Sequence, residues 1–294
     1  MIRFAELAAE KTGAAVSDPL FPFVTLEDRR VGRELTPIGN AWTRSLYDGD
    51  FALSAVPEAA PAVSLVFVQS RDRNTVTDTP DQLGGGPTDK HLIYEGLSRV
   101  AADAVMAGAM TAAGDRVFFS VWHPELVALR AALGLPRHPV QVVVSGNARF
   151  DVERSMTCNV PEVRAIVVTS ANAAPGFADA LARRPWLSLV VMTDGNLRGT
   201  LARIRQEHGI HRISAIGGRT TATTLVDAGL AQDLYLTTTA TIGGQPNTPP
   251  YAGTMPPRLD RIIAKRGTDP DHPILFEHYE IMPRSLAGGE EIRR

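Results

Sequence analysis

From Ala62 onward the chain alternates two apolar patterns. Short β-branched runs come first: AVSLVFVQ (Ala62–Gln69), VQVVVSG from Val140, RAIVVTS from Arg164, LSLVVMTDG from Leu187 and HRISAIGG from His211. Each is too short for a helix of ordinary length and rich in Val and Ile, so each reads as a buried strand. Between the later runs lie PGFADALARRP and LRGTLARIRQEHG, whose apolar residues recur at helical spacing. The stretch 89–108 opens with Leu92, Ile93, Leu97 and Val100 on one helical face and runs into a short strand near residues 104–106. HPELVALRAALGL reads as a helix with Gly134 as its stop signal. TTATTLVDAGL is one more helix, DLYLTTTATIGG one more strand, and ILFEHYEI from Ile274 a final one. RVFFSVW fits either a brief strand or an irregular excursion.

This alternation predicts an α/β fold in three layers, with a mostly parallel central sheet and helices on both faces. The step from the strand at 233–241 through the Pro/Gly-rich loop GGQPNTPPYAGTMPPR to the last strand predicts an antiparallel carboxy-terminal edge. The first sixty residues resist the same reading. An amphipathic helix opens the chain. Residues 13–61 then mix Pro, Gly and charge with short apolar pieces such as FPFVTL. They are read as an extension packed on the main domain, with a linker at 57–62, giving residues 1–61 as extension and 62–294 as domain.

Composition narrows the function classes. At 294 residues and 44% hydrophobic the chain can bury a sizeable core. A net charge of −2 carries no basic footprint for nucleic acid or an anionic membrane. The N-terminal segment lacks the apolar core of a signal peptide, and no run approaches a membrane span. With one cysteine, Cys158, neither an internal disulfide nor a cysteine-based zinc site can form, which suits a reducing cytoplasm.

The chemistry concentrates at SAIGGRTTATTLVDAGL, where an apolar strand runs into Gly217–Gly218 and a threonine-rich helix start. Such a junction presents free backbone N–H groups and a positive helix end at a strand's carboxy-terminal edge, where open α/β sheets bind ligands. Arg219, Thr220 and Thr221, with Thr223, are candidate phosphate contacts; the alternative is a tight turn with capping threonines. The spacing is not that of a dinucleotide fingerprint. GGGPTDK lacks P-loop spacing, since Lys90 follows Asp89 and no Ser or Thr succeeds it, and it reads as a mobile loop. His208 and His211 are separated by Gly209 and a new strand, so no metal is expected there. Asp72, just past a strand end, is a candidate acid or a turn-former; Arg99 is a candidate phosphate ligand or a paired helix residue; Asp103 reads as an anchor at a helix–strand junction.

Three stretches together resemble the reductase of riboflavin biosynthesis, the RibD C-terminal domain, over 62–281. LSRVAADAVMAGAMTAAGD carries Arg99, Ala102, Asp103, Ala104, Gly108 and Thr111; ISAIGGRTTATTLVDAGLAQDLYLTTTATIGG carries both Gly-Gly pairs; FVQSRDRNTVTD stands where the family has a Ser-Leu-Asp-Gly-like strand end. The resemblance implies a dihydrofolate-reductase-like fold, a homodimer and NADPH as hydride donor. The implied substrate is a ribosylamino-pyrimidine or a related pterin-like or folate-like heterocycle. It implies Gly217, Gly218, Thr220 and Thr221 at the cofactor phosphates, Gly108 and Thr111 in the groove, and Ser145 and Gly146 at the adenosine. Ser70, Asp72 and Arg99 would face the substrate, with Asp72 as the catalytic candidate and Arg149 or Arg219 at a 2′-phosphate. The chain departs from the family at Ile216, Arg73, Asn74 and Gln232–Asp233, mostly around the expected substrate pocket. The zinc deaminase that accompanies the reductase in bifunctional relatives needs two cysteines and has no place here. Two rivals stand beside this reading: a dihydrofolate-type reductase, and a non-catalytic protein that keeps the nucleotide groove.

Overall fold

The β-branched runs line up as neighbours in a ten-stranded sheet. In the computed structural model, residues 3–77, 80–147 and 150–283 are described. The strands are β1 (Phe23–Asp28), β2 (Leu35–Ile38), β3 (Phe51–Ser54), β4 (Ala62–Gln69), β5 (Ala104–Gly108), β6 (Val140–Ser145), β7 (Ala165–Ser170), β8 (Leu187–Met192), β9 (Arg212–Ile216), β10 (Asp233–Thr239), β11 (Leu259–Gly267) and β12 (Ile274–Ile281). The α-helices are α1 (Phe4–Ser17), α2 (Ala41–Tyr47), α3 (Gly86–Thr88), α4 (Ala109–Ala112), α5 (Pro124–Ala132), α6 (Ala178–Ala182), α7 (Leu197–His208) and α8 (Arg219–Asp227); α3 runs directly into a π-helix, Asp89–Leu97.

The spatial order is β1-β11-β12-β10-β4-β9-β5-β6-β7-β8. From β10 to β8 all neighbours are parallel, while β12, β11 and β1 pair antiparallel. The chain lays β5 one place away from β4, builds outward to β8, and returns to fill the gap with β9. That reversal makes the β4–β9–β5 region the topological switch point of the sheet, where ligands of open α/β folds bind.

The strands read as continuous apolar runs because both faces are covered. On one face α7 and α8 set Leu201, Ile204, Leu225 and Val226 against Val63, Leu65 and Ala215. On the other, the π-helix and α5 set Leu92, Ile93, Leu97 and Leu126 against Val66, Val105 and Val143. The four residues expected on one helical face, Leu92, Ile93, Leu97 and Val100, are all at most 1% exposed. Asp103 anchors its junction by accepting the N–H groups of His211 and Arg212, at 2.7 and 2.8 Å.

The antiparallel edge is wider than the expected final strand. β11 lies between the proline-rich loop and β12, and β1 completes the edge. Residues before 57 therefore do more than pack on the domain: β1 hydrogen-bonds into its sheet, and Phe23, Tyr47 and Phe51 share a core with Phe276. RVFFSVW is irregular, and GGGPTDK is not the loop expected of it: Gly86–Thr88 form α3, and Asp89 and Lys90 open the π-helix. No helix among the described residues is long and apolar enough to cross a membrane.

Candidate functional site

β5 and β9 are neighbours in register, with Ala107 opposite Ile216, so the loops leaving them begin at one level of the sheet. Gly217 and Gly218 both take positive φ, +63° and +74°, a region that costs a residue with a side chain about 1–2 kcal/mol. Close approach adds a second demand: a Cβ on Gly217 would stand 3.0 Å from Thr111 Cγ2, and one on Gly108 would stand 3.3 Å from Thr221 Oγ1. Gly108, Thr111, Gly217, Gly218 and Thr221 thus converge from two separate loops into a single glycine-floored cradle.

Gly218 is also the N-cap of the nine-residue α8 and supplies no side-chain cap, so the first-turn N–H groups stay open toward the cradle. Open amides at the positive end of a helix are chemistry suited to an anion. Arg219 leans away from the cradle, its Nε donating to Pro249 O at 2.7 Å. Thr220 is exposed, and its carbonyl accepts from Thr224 Oγ1. One strand further along the same edge, β6 ends at Ser145, whose Oγ donates to Asn147 O at 2.5 Å; Gly146 is exposed beside it in open space. Arg149 lies outside the described residues.

Across β9, the turn after β4 forms the other wall. Ser70 is fully buried and organises the turn: its N–H donates to Asn74 O and its Oγ accepts from Asn74 N, at 2.9 and 3.0 Å. Asp72 accepts from Asn74 Nδ2 at 3.0 Å and from Gly243 N at 3.1 Å. Hydrogen bonding from Ser70 and the Gly243 amide holds its carboxyl below the usual range, as an exposed carboxylate that staples the turn to the loop after β10. The two loops continue to zip together, Thr75 N donating to Thr248 O at 2.8 Å and Gln245 N to Val76 O at 2.8 Å.

Arg99 does not join this group. It precedes β5, at the amino-terminal edge of the sheet, 2% exposed, with its guanidinium 3.8 Å over the Tyr94 ring and Nη1 donating to Ser120 O. A hollow of roughly 320 Å³ also opens at that edge, bordered by Ser54, Ala231 and Gln232, but its Arg33 is already paired with Asp260 and Glu280.

A further pair escapes sequence reasoning. Asp89, the first residue of the π-helix, is 3% exposed and accepts a short hydrogen bond from Thr237 Oγ of β10. Burial pushes its carboxyl up to about 6, against the opposing pull of the Thr237 hydroxyl. In the sequence Asp89 hides beside Lys90, which draws attention as a failed P-loop lysine; the available signal was an acid at the head of an apolar helical face.

Solved structures share this architecture. A pyrimidine reductase-like protein from Corynebacterium diphtheriae is 19% identical, covers 76% of this chain and 93% of its own, and superposes with a TM-score of 0.61. A diaminohydroxyphosphoribosylaminopyrimidine deaminase/5-amino-6-(5-phosphoribosylamino)uracil reductase from Thermotoga maritima is 15% identical over 76% of this chain, with a TM-score of 0.52; the match spans 57% of that protein. The riboflavin biosynthesis reductase of Saccharomyces cerevisiae is 13% identical, covers 78% and 93% of the two chains, and gives 0.51. At these identities the likeness is one of fold. No curated protein matches the chain by sequence. The family model of the RibD C-terminal domain, in contrast, matches residues 62–263, from the start of β4 into β11 and across both walls of the cleft, and the chain belongs to that family.

Proposed function

We propose that this protein is an NADPH-dependent reductase of a ribosylamino-pyrimidine or a closely related heterocycle. The observation that carries the reading is the glycine-floored cradle under an uncapped helix start, set at the switch point of the sheet. Family membership and the reductases among the structural relatives support it. The residues present fit a dinucleotide diphosphate: open amides at Gly218 and the first turn of α8, hydroxyls at Thr111, Thr220 and Thr221, and no side chain at Gly108 or Gly217 to fill the space. Ser145 and Gly146 continue the groove toward an adenosine. Arg219 is the cation in reach of a 2′-phosphate once it leaves Pro249.

A reduced nicotinamide, when bound, supplies the hydride. The chain's own part is positioning and exclusion of water. The Ser70–Asn74 turn and the loop at 241–248 flank the substrate side, with the Asp72 carboxylate available to accept a hydrogen bond from a ring N–H. Arg99, buried at the far edge, has no part in this proposal. A homodimer belongs to the same reading and is checked by sedimentation.

Titration with NADPH and NADH, read by tryptophan fluorescence and thermal stability, tests the reading. At a hundredfold excess over Kd, bound NADPH adds about 2.7 kcal/mol and raises Tm by roughly 5 °C. Gly218→Val abolishes that rise by blocking the cradle. Absence of binding to either nucleotide overturns the reductase reading and leaves Gly217–Gly218 as a structural turn.

A further inference from the structure

Reduction of a C=N bond needs a proton as well as a hydride, and the walls of the cleft offer few groups that hold one. The Asp72 carboxyl is held low by its hydrogen bonds and is committed as an acceptor. Asp89 differs in each respect. It is enclosed; one oxygen is bound by Thr237, and no hydrogen bond to the other is present among the described residues. A Cβ on Gly85 would stand 2.5 Å from Asp89 Cβ and 3.1 Å from Oδ2. The lack of a side chain at Gly85 therefore leaves the Asp89 side chain the room it occupies.

The register places this pair at the cleft. Thr237 pairs with Val68 of β4, two residues before Ser70, or about 7 Å along the strand from the turn that forms the substrate wall. It lies two residues beyond the level of Ile216, where the Gly217–Gly218 junction begins. Asp89 and the cradle therefore stand on opposite sides of the β4 strand end.

We propose that Asp89, braced by Thr237 and packed against Gly85, is the group that passes a proton to the substrate nitrogen during reduction. This rests on the reductase reading above. Opening of the ribosyl ring breaks its C–O bond, the amine proton passes to the ring oxygen, and the N–C–O centre becomes C=N; the carbon of that C=N takes the hydride, and the reduced nicotinamide leaves oxidised. The π pair of C=N forms the new N–H bond with the Asp89 proton, and the carboxylate left behind is reprotonated from solvent. An enclosed carboxyl whose proton is held up to about pH 6, instead of being lost near 4, is suited to this task. Other titratable groups around it are engaged elsewhere. His91, further along the same helix, sits between Asp18 and Glu95, Lys90 pairs with Asp18, His272 of the β11–β12 turn pairs with Asp269, and His278 of β12 pairs with Asp233.

Asp89→Asn and Thr237→Val test the assignment, with 5-amino-6-(5-phosphoribosylamino)uracil and NADPH as probes. Three readouts are taken: NADPH binding, the pH profile of kcat, and the infrared band of a protonated carboxyl. In the wild type the band fades as pH rises through about 6, and kcat falls with it, by about tenfold per pH unit beyond that point. Asp89→Asn lacks the band, keeps NADPH affinity within about twofold, loses about 10²–10⁴ in kcat and loses the alkaline limb. Thr237→Val removes the hydrogen bond that favours the carboxylate, so the infrared midpoint and the alkaline limb both move to higher pH; this holds even if Asp89→Asn does not fold. An Asp89→Asn enzyme with wild-type kcat and pH profile overturns the role of Asp89 alone, as does a wild type with no protonated band at pH 5. A wild type that binds no NADPH, or binds it and reduces nothing, overturns the reductase reading and the proton role together.

Discussion

Thr111 and Thr221 stand where side chains on Gly217 and Gly108 would otherwise go, which makes the cradle a place where single atoms count. Gly217→Ala puts a methyl 3.0 Å from Thr111 Cγ2 at a φ of +63°. Thermal unfolding should show a loss of about 1–2 kcal/mol from the backbone strain alone. Adding Thr111→Ala should recover the contact and leave the strain, so a double-mutant cycle returns a coupling near the smaller part of the total. A cycle with no coupling would mean that the two loops do not touch. The same scale holds Lys265, buried in β11 with Nζ donating to Thr25 Oγ1 and Asp48 O, whose ammonium is pushed down to about 8 by burial. Its folded value lies below the unfolded one, near 10.5, so the unfolded chain binds more protons between those limits and stability rises with pH across that window. In urea titrations at pH 7.5, 8.5 and 9.5, wild type should gain on Lys265→Met at each step; parallel curves would show that the lysine is neutral or solvated throughout. Of these residues only the Gly-Gly cradle was legible in the sequence, because glycine at a strand–helix junction has a backbone reason to be there. Lys265 and Asp89 were not, since nothing local distinguishes a buried charge from a solvated one.

Elements show where periodicity informs and where it stops. The helical face of Leu92, Ile93, Leu97 and Val100 was readable, yet its π-helical winding was not, because both windings bury much the same side chains. β11 escaped because a register shift between Arg261 and Ile263 breaks its alternation and Lys265 occupies an inward position. Arg99 was read as a site residue from the family motif, but the element it ends leads into β5 at the far edge of the sheet, a fact that only topology supplies. The π-helix is also the anchor for α1: His91, with no exposure, joins Asp18 at the C-cap of α1 to Glu95, and Glu95 accepts from Trp122 N at 3.1 Å. Burial pushes the Asp18 carboxyl up, but hydrogen bonds from His91 and Lys90 outweigh it and hold the group below its ordinary 3.8. A carboxyl depressed in the folded state contributes stability that is present above the unfolded value and lost as pH falls through the folded one. Asp18→Asn should therefore destabilise the protein at pH 7 and converge with wild type as pH falls below the ordinary 3.8 and through the lowered folded value, as measured by urea midpoints. A constant gap across that range would assign the loss to packing rather than to the carboxylate.

For the whole molecule, the question is whether the family domain can stand without what precedes it. The family match begins at Ala62, with β4, and sequence patterning puts its boundary in the same place. The sheet does not respect that line. β1 pairs with β11 from Phe23–Gly267 to Asp28–Ile263, and its loss would leave β11 as an open edge. Tyr47 and Phe51 are both fully buried, and Tyr47 packs edge-on with Phe51, Phe23 and Phe276. Stripping them would expose the side of the π-helix that carries His91 and Leu92, along with the foot of β10 that holds Tyr235. Full burial of one such aromatic is worth about 1.5–3 kcal/mol, so removing several approaches the entire stability of a typical domain, about 5–15 kcal/mol. A chain spanning residues 62–294 should therefore lose its cooperative thermal transition and its near-ultraviolet dichroism. Adding residues 1–61 back as a separate peptide should restore both in proportion to its concentration. Because β10 and the π-helix also carry Thr237 and Asp89, the proposed binding of NADPH is compared in the same samples: a truncated chain that melts cooperatively and binds as the full one does would show that the first sixty-one residues are an accessory, and the opposite result would make them part of the core that carries the proposed activity.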